Sequence, residues 1–121
     1  MAEFVKFSVP DELKKKQMDL LAKAKKSGKI RIGANEATKA AERGTAKIIF
    51  IAEDVSPPEI VMHLPLICNE KNIPYSYFST KKELGQGAGI EIGTAALAVI
   101  DEGDAKKDLD DLSKKLAELK K

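Results

Sequence analysis

Three side chains with complementary hydrogen-bonding chemistry stand together between residues 33 and 39. Asn35 offers an amide, Glu36 a carboxylate acceptor and Lys39 a cation. A lysine can donate to the O6 and N7 atoms of guanine, and a carboxylate can accept from guanine N–H groups. The cluster can therefore read base edges, although an ordinary helix N-cap surrounded by solvated charges would use the same residue types.

The elements that must position this cluster are a short strand and a helix. The alternation at residues 30–32 predicts the strand, and Gly33 ends it. Asn35 is a natural N-cap for a helix that runs to Gly44, where a glycine can end it. A glycine between a strand and a helix leaves free N–H groups at the positive end of the helix dipole, which suits a phosphate.

A glycine-rich segment at residues 85–93 is the second candidate site. Its glycine spacing fits neither a dinucleotide-binding fingerprint nor a Walker A loop. The pattern predicts a flexible loop that ends in Ile90, Glu91 and Ile92. Exposed isoleucines in such a loop could pack on an unstacked base, but they could equally begin the next strand and point into the core.

No arrangement of residues typical of catalysis or metal binding emerges from the sequence. His63 is the only histidine and has no cysteine or acidic partner at ligand spacing, so we expect a packed or surface side chain. Cys68 is the only cysteine; it is expected in the core, and no internal disulfide can form. We therefore expect a protein that is not an enzyme and that needs no cofactor.

The composition is that of one globular domain spanning residues 1–121. Apolar residues make up 43% of the chain and charged residues 33%, which favours a folded domain over a disordered one. The N-terminus lacks the apolar run of a signal peptide, and no apolar stretch has the length of a membrane span. Because the single cysteine also fits a reducing compartment, a cytoplasmic protein is expected.

Charge is unevenly distributed along the chain. Residues 1–47 contain 12 basic and 6 acidic residues, whereas the remainder contains 9 basic and 13 acidic ones. The basic half is a candidate surface for a polyanion. Lysines that merely solvate a helix face would explain much of the same excess.

Helical and strand patterns alternate along the whole chain. This alternation predicts an α/β protein, a three-layer α/β/α sandwich around a small, mixed or mainly parallel sheet. The other predicted strands are residues 48–51, 74–78 and 94–100. Four other helices are predicted. The first is opened by Pro10 and ended by Gly28, and the second follows a capping box at residues 56–59, is kinked at Pro65 and ends at Asn72. The third is short and capped by Ser79 or Thr80, and the C-terminal one carries a leucine stripe.

The segment at residues 33–39 resembles the kink-turn-binding family of ribosomal and ribonucleoprotein proteins, in particular its archaeal large-subunit branch, L7Ae. The resemblance continues in the same order along most of the chain, and the ordered set is far more specific than any of its parts. Its further segments are residues 51–54, 58–60, 63–66, 73–75, 84–85, 88–90 and 100–103.

The resemblance implies a protein that recognises kink-turn RNA, in which a short bulge adjoins tandem sheared G·A pairs. It implies that Asn35, Glu36 and Lys39 read the guanines of those pairs, and that Gly33 lets the backbone approach the RNA. The remaining residues that it assigns are Thr38 and Arg43 as phosphate contacts, and Ile90, Glu91, Ile92, Glu59 and Lys81 around the flipped-out bulge nucleotide.

The same resemblance implies partners. These are kink-turn or kink-loop elements in ribosomal RNA, in box C/D and H/ACA guide RNAs and in ribonuclease P RNA, together with other ribonucleoprotein proteins. No membrane is expected, and the free protein is expected to be a monomer. Two other functions stay open, namely a protein-interaction module on the same fold and a small nucleotide-binding enzyme that uses the loop at residues 85–93.

The chain departs from the family pattern at two places on the expected RNA face. Ile32 precedes the glycine where the family usually has a lysine, and Gln86-Gly87 stands where a lysine or arginine followed by alanine is common. Both changes remove positive charge. We expect them to weaken affinity and flatten its salt dependence more than they alter specificity, because the base-reading residues are intact.

Overall fold

The structure, a computed structural model, describes Val5, residues 7–55 and residues 58–119. Helices and strands alternate throughout this part of the chain. The helices are α1 (Asp11–Ser27), α2 (Ala34–Arg43), α3 (His63–Lys71), α4 (Lys81–Gly87) and α5 (Lys106–Leu119). The strands are β1 (Lys29–Ile32), β2 (Ile48–Ala52), β3 (Tyr75–Phe78) and β4 (Ala96–Asp101), and short 3₁₀ turns occupy Pro58–Ile60 and Gly103–Ala105.

The four strands form one mixed sheet in the order β1-β4-β2-β3. β4 runs antiparallel to both β1 and β2, whereas β2 and β3 are parallel. β2 lies inside the sheet and every one of its residues is buried. A continuous apolar run such as the one at residues 48–51 predicts this kind of strand.

The helices cover both faces of the sheet. α1, α4 and α5 pack together on one face, and α2 and α3 pack on the other. α2 buries three alanines, so its backbone lies close to the sheet. The predicted α/β/α sandwich with a small mixed sheet is confirmed. The buried stripe of α1 is also the predicted one, Leu13, Gln17, Leu20, Leu21 and Ala24.

The segment before α1 belongs to the core as well. Val5, Phe7 and Val9 are buried, and the Phe7 ring centroid lies 5.7 Å from that of Tyr75 and 5.1 Å from that of Tyr77. Their alternation with polar residues is a signal of a half-buried extended segment. This segment therefore covers one face of β3.

α2 begins two residues earlier than the sequence predicts. Gly33 occupies the N-cap position with φ 110° and ψ 150°, a combination that is essentially open to glycine alone. Its carbonyl accepts the Ala37 N–H at 2.9 Å, which closes the first helical turn. The prediction of Asn35 as the N-cap is therefore wrong, because the chain enters the helix directly from β1.

A 3₁₀ turn and a separate helix replace the single kinked helix predicted after β2. Pro65 is the third residue of α3, where a backbone N–H would have no helical partner, so the proline causes no kink. Ser56, the predicted capping-box serine, lies outside the described residues. α3 ends as predicted at Asn72, whose φ is 58°.

The glycine-rich segment is largely helical, and the prediction of a flexible loop over residues 85–87 is wrong. Gly85 and Gly87 are buried in α4. A Cβ atom on Gly85 would collide with the carbonyl oxygen of Ile92, so glycine serves close packing here and leaves no open cradle for a nucleotide phosphate. Thr80, one of the two predicted caps, accepts the Glu83 N–H at 3.0 Å.

In the part of the chain that the structure describes, no helix combines the length and the apolar character of a membrane span. Among the same residues, no group of histidine, cysteine and acidic side chains is arranged to hold a metal ion.

Candidate nucleic-acid interface

One end of the sheet gathers the elements that carry most of the predicted site. The strand directions bring the C-terminal ends of β1, β2 and β3 to the N-terminal end of β4. The Gly33 N–H donates to the Ala96 carbonyl at 2.8 Å, and the Ala52 N–H donates to the Ala95 carbonyl at 2.9 Å. α2 and α4 both begin at this end, which we call the site end.

The first turns of α2 project the three predicted base-reading residues. Asn35, Glu36 and Lys39 are all exposed. The Lys39 Nζ lies 3.9 Å from the Glu36 Oε1, and the two side chains are 57% and 48% exposed, so their ion pair is loose and screened by solvent. Because Gly33 caps the helix, the Asn35 amide is not used for that purpose. An amide, a carboxylate and a cation thus stand side by side on an open surface.

Thr38 is engaged within the protein. Its Oγ1 donates to the Ala34 carbonyl at 2.7 Å and lies 2.7 Å from the His63 Nε2. A threonine hydroxyl has a single proton, so His63 must be the donor in the second bond and its Nε2 must carry a proton. Thr38 therefore supports the first turn of α2, and its proton is already used on the helix backbone.

The start of α4 ties three segments together at the site end. The Lys81 N–H donates to the Asp54 Oδ1 at 2.8 Å, and the Lys81 carbonyl accepts the Thr94 N–H at 3.1 Å. These bonds connect the end of β2, the start of α4 and the segment that leads into β4. The Lys81 side chain itself remains exposed.

The two isoleucines of the predicted loop have different environments. Ile90 is half-buried and packs against the core, whereas Ile92 is 74% exposed and Glu91 is also exposed. The Ile90 N–H donates to the Gly85 carbonyl at 3.0 Å, and the Lys25 Nζ donates to the Gly89 carbonyl at 3.1 Å. The loop is thus held at both α4 and α1, with Ile92 presented to solvent.

Glu59 and Arg43 stand outside the first turns of α2 and α4. Glu59 is exposed on the 3₁₀ turn between β2 and α3. Within the described residues, no hydrogen bond or ion pair joins it to another predicted site residue. Arg43 ends α2, about 10 Å along the helix axis from Glu36. Glu36, Lys39 and Arg43 nevertheless share one face of α2, because they are spaced three and four residues apart.

A groove runs beside that face, between α2 and β1. It has a volume of about 160 Å³. We call it the arginine groove, and its lining residues are Arg31, Glu36, Lys39, Ala40, Arg43, Thr45 and Ile100. The site surface therefore extends from the base-reading cluster to the far end of α2.

The fold and this surface define an α/β/α sandwich whose sheet carries an exposed amide, carboxylate and cation cluster at one end. The model of the Ribosomal protein L7Ae/L30e/S12e/Gadd45 family matches residues 15–109, and the chain belongs to that family. Among solved structures, it is similar to a Giardia lamblia 15.5kD RNA binding protein, with a TM-score of 0.92 and 28% sequence identity. That match covers 98% of this chain and 99% of the other. The family that the sequence resemblance implies is therefore confirmed.

Sequence reasoning missed two residues of this surface. His63 was expected only to be packed or exposed, yet its Nε2 lies 2.7 Å from the hydroxyl of Thr38, which bonds back to the first turn of α2. Arg31 was placed only in a short strand, yet it lines the arginine groove with Arg43. His63 and Thr38 lie on different elements, and so do Arg31 and Arg43. No spacing pattern along the chain therefore predicts that these residues meet.

Proposed function

We propose that this protein recognises and stabilises kink-turn RNA. Asn35, Glu36 and Lys39 read the guanines of the tandem sheared G·A pairs from the start of α2. Gly33 brings the backbone of the strand-to-helix turn close to the RNA. Binding favours the bent RNA over the extended one, and it can shift that equilibrium only by the protein's differential affinity for the two forms.

The observation that carries this proposal is the freedom of the three side chains. Asn35 lies in the first turn of α2, where an asparagine would often cap the helix, but Gly33 occupies the cap. Among the described residues, Glu36 and Lys39 have only each other as ionic partners, at 3.9 Å. Apart from that pair, the three side chains make no bond to another described residue, and a cluster with the right donors and acceptors for guanine edges is best explained by a nucleic-acid ligand.

The loop that precedes β4 supplies the second contact. Ile92, at 74% exposure, is a large apolar side chain in open solvent, and such a side chain can pack on a base that has left its stack. Lys81 and Glu91 are exposed on the same end of the molecule, and Glu59 is exposed on the 3₁₀ turn between β2 and α3. We assign these residues to the flipped-out bulge nucleotide.

Kink-turns occur in several RNAs, and we extend the proposal to the assemblies that use them. These are the large ribosomal subunit, box C/D and H/ACA modification particles and ribonuclease P, with other ribonucleoprotein proteins as neighbours. Ile32 and Gln86 stand where a family member usually has basic residues, and both are exposed, Ile32 at 36%. The affinity for such RNAs should accordingly be lower than that of a member with both cations.

A gel-shift titration tests the proposal. The protein is titrated with a short kink-turn RNA and with a matched RNA whose G·A pairs are replaced by Watson–Crick pairs. Glu36→Ala and Lys39→Ala should each weaken binding to the kink-turn about tenfold or more, since one good base contact gives roughly 1–3 kcal/mol of discrimination. Glu42→Ala on the same helix and Lys71→Ala at the end of α3 are matched controls.

Two results decide the outcome. Tight binding to the kink-turn alone, lost in the two site variants and kept in the two controls, supports the proposal. Equal and strongly salt-dependent binding to both RNAs would show that the surface is only a basic patch without preference for kink-turns. In that case the protein-interaction function on the same fold would replace kink-turn reading.

A further inference from the structure

We propose that Lys25 of α1 is a positioning residue for residues 88–93, which we call the bulge loop. Its ammonium group fixes the peptide unit between Gly89 and Ile90 in the conformation that receives the extruded nucleotide. The inference rests on the proposed function, because the position of the loop matters only if Ile92 packs on an unstacked base. Lys25 raises affinity without touching the RNA.

One peptide unit of the bulge loop is held at both of its polar groups. The Gly89 carbonyl accepts a hydrogen bond from the Lys25 Nζ at 3.1 Å. The N–H of the same unit belongs to Ile90, and it donates to the Gly85 carbonyl at 3.0 Å. The C=O and N–H of a trans peptide unit lie in one plane and point in opposite directions. Lys25 therefore holds this plane from one side and α4 from the other, and the plane sets the direction in which the chain continues to Ile92.

The Lys25 side chain lies directly on the backbone of Gly89. A Cβ atom at position 89 would collide with the Lys25 Nζ, and it would lie 2.6 Å from the Cε and 2.9 Å from the Cδ of that lysine. Gly89 also has φ 76°, a conformation that residues with a Cβ atom rarely adopt. The missing side chain therefore permits the turn and leaves free the surface on which the lysine rests.

Few other bonds hold the bulge loop in place. The N–H groups of residues 88–90 donate to carbonyls of α4. Within the part of the chain that the structure describes, Lys25 is the only residue whose side chain forms a hydrogen bond with the loop. Ile90 is half-buried and packs against the core, whereas residues 91–93 are exposed. Ile92 thus stands in the least constrained part of the loop, and the fixed peptide unit before it limits the positions that it can take.

Two neighbouring lysines end α1, and only one of them has a bonding partner. Lys25 and Lys26 both lie in the last turn of the helix, where the negative end of the helix dipole favours a cation, and both are exposed. Among the described residues, Lys26 forms no hydrogen bond or ion pair, and Lys25 pairs with no carboxylate. The helix dipole and solubility therefore account for both lysines equally, and they leave the bond to Gly89 unexplained.

Lys25 holds the bulge loop from behind. α1 leads into the start of β1, whereas the site end lies at the other end of that strand. The lysine is therefore placed away from the proposed base-reading cluster. A loop that is already fixed loses less conformational freedom when RNA docks, so it binds more tightly than a mobile one. The gain is confined to RNAs that offer an unstacked base to Ile92.

The experiment compares wild type, Lys25→Met, Lys25→Arg and the matched control Lys26→Met. Each protein is titrated with two kink-turn RNAs that differ only at the extruded position, where one carries the nucleotide and the other an abasic residue. Methionine keeps an unbranched apolar side chain but cannot donate a hydrogen bond, whereas arginine keeps a charged donor. The titrations are repeated at several salt concentrations, and the hydrogen exchange of the Ile90 amide is measured by NMR in the free proteins.

Lys25→Met should weaken binding to the intact kink-turn about fivefold relative to Lys26→Met, which is about 1 kcal/mol at roughly 1.4 kcal/mol per factor of ten. Lys25→Arg should restore most of this affinity. On the abasic RNA the two methionine variants should bind equally, because Ile92 has no base to cover. Their salt slopes should also be equal, since each variant removes one cation that does not contact RNA. The Ile90 amide of Lys25→Met should exchange about fivefold faster than that of Lys26→Met.

Equal affinity of Lys25→Met and Lys26→Met for the intact kink-turn would overturn the positioning role. A difference that persists on the abasic RNA would also overturn it, and a lower salt slope would then make Lys25 a direct phosphate contact. Equal exchange of the Ile90 amide in the two variants would show that Lys25 does not hold the loop.

The proposed function is judged separately, by the preference of the wild type for G·A pairs over Watson–Crick pairs. If that preference is present, each of the results that overturn the positioning role leaves the proposed function standing. If it is absent, the proposed function falls and takes with it the role of Lys25 in RNA binding. The exchange of the Ile90 amide, which needs no RNA, would still decide whether Lys25 fixes the loop.

Discussion

The Thr38 Oγ1 and the His63 Nε2 lie 2.7 Å apart, and they join α2 to the first residue of α3. Thr38 also donates to the Ala34 carbonyl at 2.7 Å. His63 thus acts through Thr38 on the turn that carries Asn35 and Glu36. This makes His63 a positioning residue for the proposed base-reading cluster, although it need not touch RNA itself.

The first prediction concerns this hydrogen bond. His63→Ala and Thr38→Val should each destabilise the protein by about 1–2 kcal/mol, because a half-buried polar group loses its partner. The double variant should cost less than the sum of the two, since both changes remove the same bond. Urea unfolding of the four proteins measures this coupling. Strict additivity would show that the bond contributes nothing to stability.

The second prediction separates the two glycines that flank α2. Gly33 has φ 110° and ψ 150°, whereas Gly44 has φ 71° and ψ 19°, an ordinary left-handed helix end. A Cβ atom at either position would meet nothing within 4 Å, so any cost of alanine arises from the backbone alone. Gly33→Ala should cost about 2–3 kcal/mol and Gly44→Ala about 1–2 kcal/mol.

Thermal or urea unfolding ranks these two variants directly. Gly33→Ala should also weaken kink-turn binding, because its backbone must leave the geometry that starts α2, while Gly44→Ala should leave binding unchanged. An equal stability cost at both positions would show that the turn after β1 relaxes easily into a conformation that alanine accepts.

Much of the fold could be predicted because the relevant signals are local. The apolar stripe of α1 follows from residue spacing, and the burial of β2 follows from its continuous apolar run. The helix ends at Gly44 and Asn72 follow from residues that accept a left-handed backbone. All of these features appear as expected. The ordered motifs likewise led to the family that the comparison confirms.

What the sequence did not reveal depends on contacts between distant segments. α2 begins at Ala34, earlier than predicted, because Gly33 adopts a backbone conformation at the N-cap that a prediction from capping side chains does not consider. Gly85 was interpreted as part of a mobile loop, although it allows close packing against Ile92. The roles of the candidate RNA-binding residues remain predictions, because exposure shows that they are available but not what they bind.

The third prediction concerns alkaline pH. Burial raises the pKa of Tyr75, and a side-chain hydrogen bond with Asn69 offsets part of that rise. A raised folded-state pKa means that the corresponding stability is complete below the unfolded value of about 10 and is lost as pH rises through the folded pKa. In Tyr77→Phe, Tyr75 is the sole tyrosine, and its tyrosinate absorbance should appear with a midpoint above about 10. A midpoint at the ordinary value would contradict the effect of burial.

The fourth prediction concerns the buried amide of α1. Gln17 is fully buried; its Nε2 donates to the Tyr77 carbonyl at 3.0 Å, and its Oε1 accepts from the Ser76 hydroxyl. Gln17→Leu should destabilise the protein by about 2–4 kcal/mol, because it leaves buried polar groups without their partner. Adding Ser76→Ala should then cost little or restore about 1 kcal/mol, since the orphaned hydroxyl is gone. A further large loss in the double variant would mean that Ser76 has another essential partner.

The last prediction uses two glycines of α4 to test the loop that carries Ile92. A Cβ atom on Gly85 would collide with the Ile92 carbonyl, which is backbone and cannot rotate away. A Cβ atom on Gly87 would lie 2.8 Å from the Met18 Sδ and 2.9 Å from the Leu21 Cδ1, which are side-chain ends that can shift. Gly85→Ala should therefore displace the loop and lower kink-turn affinity about tenfold, in the lower part of the range expected when one stacking contact is lost.

Gly87→Ala is the matched control for that measurement. It makes the same substitution two residues along the same helix, and the better helix propensity of alanine, about 1 kcal/mol, offsets the shift of Met18. Its RNA affinity should stay within about twofold of wild type, because the loop is not touched. If both variants lost affinity equally, the loss would come from α4 as a whole. If neither did, the position of Ile92 would have no part in RNA binding, and its assignment to the extruded nucleotide would have to be withdrawn.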